Sequence, residues 1–341
     1  MKRALLLLSI LSILSADALA DGFHSPLLRN KDPKKWGETT REGLGLDKSD
    51  TAEEQDGGGD RFRRRKAAGD LVDVLRYLDR KNVLLREFPN FNYDAIPTFK
   101  SETEAILIAI GKDAVPLLVQ TIVADIRGQH GNQAGLRRVK DFRERVVKIL
   151  IAIGPDSLEY CIGQLVAQET AIRKTMLRII RAVVTDVDFG SDATQWRRWF
   201  GIYDAGRKRD VRKVAEVTAA LSDPDKRIRR TAIVALGQMR STKPVPKLMA
   251  ILESRVDPKT IALTCRALAT IGDRRAVPRL ITLLESETLS VRTEAATALR
   301  FLTRTMHGFR AQGAEEERKA AVLKWRRWWE AEMRKKTGGA K

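Results

Sequence analysis

The chain has 341 residues, two cysteines, and 63 Lys and Arg against 44 Asp and Glu, for a formal net charge of +19. So few cysteines exclude a disulfide-built scaffold. The charge points to anionic partners and says nothing of the fold. The first residues read MKRALLLLSILSILSADALA, with Lys2 and Arg3 as a positive n-region, Ala4 to Leu14 as an apolar h-region, and Ala18-Leu19-Ala20 as a small-x-small cleavage site. That order predicts a secretory signal peptide over 1–20, too short to span a bilayer comfortably, and a periplasmic or secreted mature chain from Asp21. An uncleaved N-terminal anchor is the other reading of the same residues. No later run reaches ~18 consecutive apolar residues. After export, an acidic protein, an acidic glycan or a phospholipid surface ranks ahead of nucleic acid as the anionic partner.

Residues 21–66 are rich in charge and Gly and poor in apolar residues. Such a segment buries too little surface to offset its ordering entropy, which predicts a disordered charged tether. It ends in the basic run Arg61 to Lys66, which could hold an anionic membrane surface by charge. From Gly69 the pattern changes, and Leu71, Val74, Leu75 and Leu78 fall at helical spacing. The remainder reads as short amphipathic helices with no strand-like alternation, so the predicted class is all-α.

These helices repeat. ALGQMRSTKPVPKLMAILE (Ala235 to Glu253) lies over ALATIGDRRAVPRLITLLE (Ala267 to Glu285) without a gap, at a period of 32. AILIAIGKDAVP (Ala105 to Pro116) lies over KILIAIGPDSLE (Lys148 to Glu159) at a period of 43, with RGQHGNQAGLRRVKDFRER spliced between. Two helices per unit at such periods predict an α-solenoid, because one hairpin cannot hide both its apolar faces and a stack can. Gly111, Gly154 and Gly272 suit the reversal after each first helix. Pro116, Pro246 and Pro278 suit the first turn of each second helix.

IRRTAIVALGQMRSTKPVPKLMAIL and ALATIGDRRAVPRLITLLE resemble HEAT repeats, and more narrowly the HEAT-like units of phycobilin lyases. The resemblance is strong over about Asp223 to Leu302 and weaker over Ala105 to Val184. It implies superhelical stacking with second helices lining a concave face, and binding or scaffolding more often than catalysis.

QWRRWFG (Gln195 to Gly201) and KWRRWWE (Lys324 to Glu330) repeat one Trp-Arg-Arg-Trp motif, each after a repeat helix. Trp196 and Trp199, and likewise Trp325, Trp328 and Trp329, share a helix face, with the arginines turned away. Open solenoid ends need a cap. The expected arrangement is a first array over 67–206 and a second over 207–336, each closed by a Trp cap helix, with a disordered tail at 337–341. A stacking platform for bases or sugars is the sharper alternative. On the cap reading, the arginines Arg197, Arg198, Arg326 and Arg327 form a solvated face.

No catalytic residue, metal ligand or cofactor is assigned. His24, His130 and His307 lack a second His or Cys at metal spacing, and no nucleophile-elbow, metalloprotease or phosphate-loop motif occurs. Cys161 and Cys265 fall on core positions of different repeats. Arg173, Arg229 and Arg292 open successive first helices and are expected to pair with nearby carboxylates such as Asp223, Asp225 or Glu287. Lys243 aligns with Arg275 and Lys247 with Arg279. If that face is concave, the four form a two-by-two patch for anions, and a solubilising surface is the bland reading. Arg137 and Arg138 lie in the inserted segment and are further candidates for partner contact. The resulting expectation is an exported, non-enzymatic scaffold that binds an acidic protein through a basic concave face. The alternative is an accessory held by charge to an anionic envelope or extracellular polymer. The oligomeric state is left open.

Overall fold

The computed structural model of the chain describes residues 59–78, 96–128, 133–254 and 256–338. The predicted signal peptide, the tether up to residue 58, His24 and His130 lie outside the described residues. Every described element is helical, and the chain divides into two compact units, Met1–Ala193 and Thr194–Lys341.

The first unit contains α1 (Gly59–Leu78), α2 (Ile96–Ile110), α3 (Val115–Arg127), α4 (Gln133–Ile153), α5 (Leu158–Gly163) and α6 (Thr170–Val183). The basic run expected to end the tether instead forms the first turns of α1. Arg and Lys are good helix formers, and Arg61 and Arg65 reach the buried Asp113 carboxylate at 3.7 and 4.0 Å. The inserted segment is also helical over most of its length, because residues 133–145 lengthen α4 by about three turns. Phe142 carries the apolar stripe of α4 into the inserted part; it is buried, with the Arg76 guanidinium 5.0 Å from its ring centroid.

The second unit contains α7 (Ala193–Arg207), α8 (Val214–Ala219), α9 (Lys226–Met239), α10 (Val245–Glu253), α11 (Pro258–Ile271), α12 (Val277–Leu283), α13 (Leu289–Thr303) and α14 (Glu315–Gly338). Helix ends follow from local chemistry. Asp257 accepts from the Thr260 amide at 3.1 Å and its hydroxyl at 2.7 Å, capping α11. Pro246 and Pro278 sit in the first turns of α10 and α12. The first helices α9, α11 and α13 of successive hairpins pack side by side, and α7 meets α9 at Gly206. A Cβ on Gly206 would stand 2.6 Å from Cα of Ala235, and one on Gly237 would stand 2.9 Å from Cα of Ala267, so backbones touch where only glycine fits. Ile228, Leu236, Leu268, Val291 and Leu299 are buried in this stack, each stabilising by about 1.5–3 kcal/mol relative to exposure.

Two sets of arginines hold the hairpins together. Nη1 of Arg173 donates to the carbonyls of Ala167 and Gln168, both at 2.6 Å. Arg229 donates to those of Asp223 and Pro224 at 2.7 and 2.8 Å. Arg292 donates to those of Ser286 and Glu287, both at 2.8 Å. The acceptors are therefore backbone carbonyls, not the carboxylates expected. The orphan carbonyls at the end of one helix lie within reach of the first turn of the next. Ion pairs link neighbouring first helices: Glu104 with Arg145 at 2.5 Å, Glu144 with Arg178 at 2.7 Å, Arg230 with Asp257 at 2.6 Å, and Arg266 with Glu294. Burial pushes the Asp257 carboxyl up, yet hydrogen bonds from Thr260 and Arg230 outweigh it and hold the group at about 2.

Both Trp motifs belong to the second unit. The helix expected to close the first array, α7, is instead the first helix of the second, which moves the boundary from 206/207 to 193/194. Trp196, Trp199 and Trp325 are 0, 2 and 1 % exposed, and Trp328 and Trp329 are half-buried. The paired rings repeat one geometry. Trp196 and Trp199 meet edge to face at 5.7 Å and 89°, and Trp325 and Trp328 at 5.5 Å and 88°. Of the arginines expected to face solvent, Arg198 pairs with the buried Asp223 and Arg326 with Glu285, both at 2.5 Å. Helix α14 continues to Gly338, two residues into the expected tail. Replacing Trp196 or Trp325 with Ala is expected to lower the unfolding free energy by about 3–5 kcal/mol. Urea denaturation of the two variants checks this, and wild-type midpoints would refute a packing role for the rings.

Candidate functional site

Charge is divided unequally between the units. Residues 1–193 hold 30 Lys and Arg against 28 Asp and Glu, a net of +2. Residues 194–341 hold 33 against 16, a net of +17. A single net charge for the whole chain conceals this division, and separate counts for each half of the sequence reveal it.

Many carboxylates of the second unit are already engaged. A recurrent Asp-x-Arg clamp occupies three of them. Asp210 accepts from the amide and the guanidinium of Arg212 at 3.2 and 2.8 Å. Asp225 does the same with Arg227 at 2.8 and 3.0 Å, and Asp273 with Arg275 at 2.9 and 3.1 Å. The arginine hydrogen bond holds each of these carboxyls below its ordinary value.

This clamp decides the fate of the expected two-by-two patch. Arg275 lies at the start of one second helix and is neutralised by Asp273. Lys243 stands at the matching position one repeat earlier, where Ser241 replaces the aspartate. The Lys243 amide still reaches Ser241 Oγ at 3.4 Å, but no carboxylate meets the ammonium among the described residues. Arg279 donates to the carbonyl of Leu252 at 2.9 Å and serves packing. Lys247, its counterpart, is exposed and forms no ion pair among the described residues. The structure thus leaves Lys243 and Lys247, four residues apart on α10, as the uncommitted cations of that set. Arg137 and Arg138 lie near the N-terminus of α4, with side chains outside the described residues.

The remaining candidates have packing surroundings. Burial pushes the Cys161 and Cys265 thiols up to about 12, so neither is a nucleophile at neutral pH. His307 lies 4.5 Å from the Trp325 ring and 5.2 Å from the Trp328 ring, and shares a hydrogen bond with Thr305 at 3.2 Å. The Arg274 guanidinium is 5.9 Å from the rings of Trp328 and Trp329. Among the described residues no group of three or more His, Cys, Asp and Glu could hold a metal ion. An open recess of about 350 Å³ in the first unit is lined by Pro97, Lys100, Ser101, Glu104 and Arg145, and its strongest charges are paired with each other.

Residues 191–259 and 245–324 each match the family of HEAT repeats. The first match begins just before α7 and so takes the Trp196 helix into the repeat array. The chain is also 36 % identical over 97 residues to a bilin biosynthesis protein, PecE, of Mastigocladus laminosus. That similarity covers 26 % of this chain and 36 % of the relative, about a third of its length.

Burial, and then the Lys324 ammonium, hold His307 below its ordinary value of 6.5. The unfolded chain therefore takes up this proton at a higher pH than the folded chain. The His307 contribution to stability is full above about pH 6.5 and declines as the pH falls towards the folded value. His307→Asn, suited to the backbone φ of 47° there, is expected to flatten this part of the profile. Urea midpoints measured on either side of ~pH 6.5 check it.

Proposed function

We propose, from the premise that residues 191–324 are HEAT repeats, that this chain is an exported, non-enzymatic scaffold whose second unit holds an acidic protein partner. The observation that carries this reading is the concentration of the charge excess in the second unit, at +17, with Lys243 and Lys247 left without carboxylates among the described residues. A unit most of whose acids are engaged internally attracts an acidic surface, speeds encounter and discriminates against basic proteins. Export rests on the residue pattern of 1–20.

A second reading is favoured by the similarity to a bilin biosynthesis protein. In it the array handles a tetrapyrrole, alone or as a subunit of an enzyme, and the same cations take the acid groups of the pigment. Absorbance titration with a linear tetrapyrrole distinguishes the two, since a pigment site shifts the visible spectrum and a protein site does not.

Reversing two exposed charges, Lys243→Glu with Lys247→Glu, is expected to weaken partner capture about tenfold or more without loss of helicity. A pull-down from the envelope fraction at low and moderate salt, using the unaltered and reversed chains, measures this. An acidic protein retained at moderate salt supports the reading. A polysaccharide or other polymer released steeply by salt would replace the protein with an anionic polymer.

A further inference from the structure

In the second unit, each first helix ends in one residue of left-handed backbone conformation. At three of the four turns that residue is arginine. Arg209, Arg240 and Arg304 have φ of 52°, 53° and 62°, and Gly272 takes the remaining turn at 85°. The four are spaced by 31, 32 and 32 residues, so they occupy the same step of successive hairpins. In the first unit the matching turns use Gly111 and Gly154. These turns are well formed: the Arg240 amide donates to Gly237 at 3.2 Å and the Arg304 amide to Arg300 at 2.9 Å.

A left-handed backbone crowds Cβ of an L residue against its own chain, and glycine avoids this. Arginine has no side-chain bond that eases the strain, unlike Asn or Asp. A strained residue repeated in register points to a use for its side chain. All three side chains are exposed, and none makes a hydrogen bond or ion pair among the described residues. Two acids beside the turns are taken, Asp210 by Arg212 and Asp273 by Arg275.

We propose that this turn edge is a binding track for an extended acidic polypeptide segment, with Arg209, Arg240 and Arg304 as rungs and Lys243 beside them. The proposal rests on the acidic-partner reading above and assigns it a place and a form. Equivalent residues of packed helices lie about 10 Å apart, so the track runs about 30 Å. That span is too long for a compact anion. A polypeptide in the polyproline II conformation rises about 3.1 Å per residue and returns a side chain to the same side every third residue, about every 9.3 Å. Carboxylates at every third position therefore meet the rungs in step, and each guanidinium can grip one with two parallel N–H donors.

The test uses the full chain and a fluorescent peptide of repeated Glu-Pro-Pro, about twelve residues long. A control peptide of the same composition carries its glutamates together at one end. Fluorescence anisotropy is expected to show tighter binding of the spaced peptide. The triple variant Arg209→Gly, Arg240→Gly, Arg304→Gly should bind it about tenfold or more weakly, with an equal or higher melting temperature because glycine relieves the turns. Gly272→Arg should do the reverse, adding a rung and lowering the melting temperature. Opposite movements of affinity and stability separate a binding role from a structural one. Undiminished binding by the triple variant overturns the track while leaving the acidic-partner reading intact. Failure of the unaltered chain to bind either peptide overturns the track alone if the envelope pull-down still yields an acidic protein, and both readings if it does not. Arginine-dependent binding of a sulfated polysaccharide but of neither peptide overturns the polypeptide as occupant.

Discussion

A single helical hairpin in this chain has an apolar face that it cannot cover, and the next hairpin covers it. The contact is close. Gly206 and Gly237 let α7, α9 and α11 approach until the backbone of one helix rests on an alanine of the next. At that separation the branched side chains of both helices interlock, and dispersion adds to the removal of apolar surface from water. The stability of such a stack is a sum of hairpin and neighbour terms, so the end members matter as much as the middle. The two Trp motifs occupy the ends of the second unit, in α7 and α14. Each sets one ring edge to face against another and ties an arginine of the same helix to a carboxylate, Asp223 in one case and Glu285 in the other.

Arginine has at least three roles in this protein, and its surroundings tell them apart. Where a helix end leaves carbonyls unpaired, Arg173, Arg229 and Arg292 donate to them. Where a carboxylate lies two residues back or on the neighbouring helix, arginine is neutralised, as at Arg212, Arg266 and Arg275. Where neither is present, the charge stays available to solvent or a partner. Exposed ion pairs contribute little stability each, so their effect here is also to decide which cations remain uncommitted. The excess of +17 in the second unit is therefore narrower in use than the number suggests.

Much of this architecture was legible in the residues. The gapless 32-residue alignment placed the hairpins of the second unit, the prolines marked the second helices, and indoles at helical spacing marked buried faces. What failed did so for physical reasons. Arg61 to Lys66 resembled a tether by charge, yet arginine and lysine propagate a helix once a carboxylate such as Asp113 receives them. The arginines that open first helices stand beside acids in sequence, and only the folded turn brings backbone carbonyls nearer. The likeness of the two Trp motifs suggested equal positions, each closing an array. The small residues that fit Gly206 against Ala235 decide instead that α7 begins one. The same alignment had set Arg240 over Gly272, a sign of unusual backbone that a search for period alone passes over.

The left-handed arginines also bear on how a solenoid can hold strain. In a compact domain, strain at one turn spreads through a shared core. In a stack, each hairpin contacts only its neighbours, so a turn costing about 1–2 kcal/mol is borne locally. The apolar stripe of one first helix, with several buried aliphatic side chains, outweighs that amount. The first unit, with a net charge of +2, keeps glycine at Gly111 and Gly154; the second, at +17, carries arginine at three turns. Strain and charge thus coincide in the same unit and at the same step of its hairpins. Packing alone does not account for this, because Gly272 closes an equivalent turn in the same stack without a side chain.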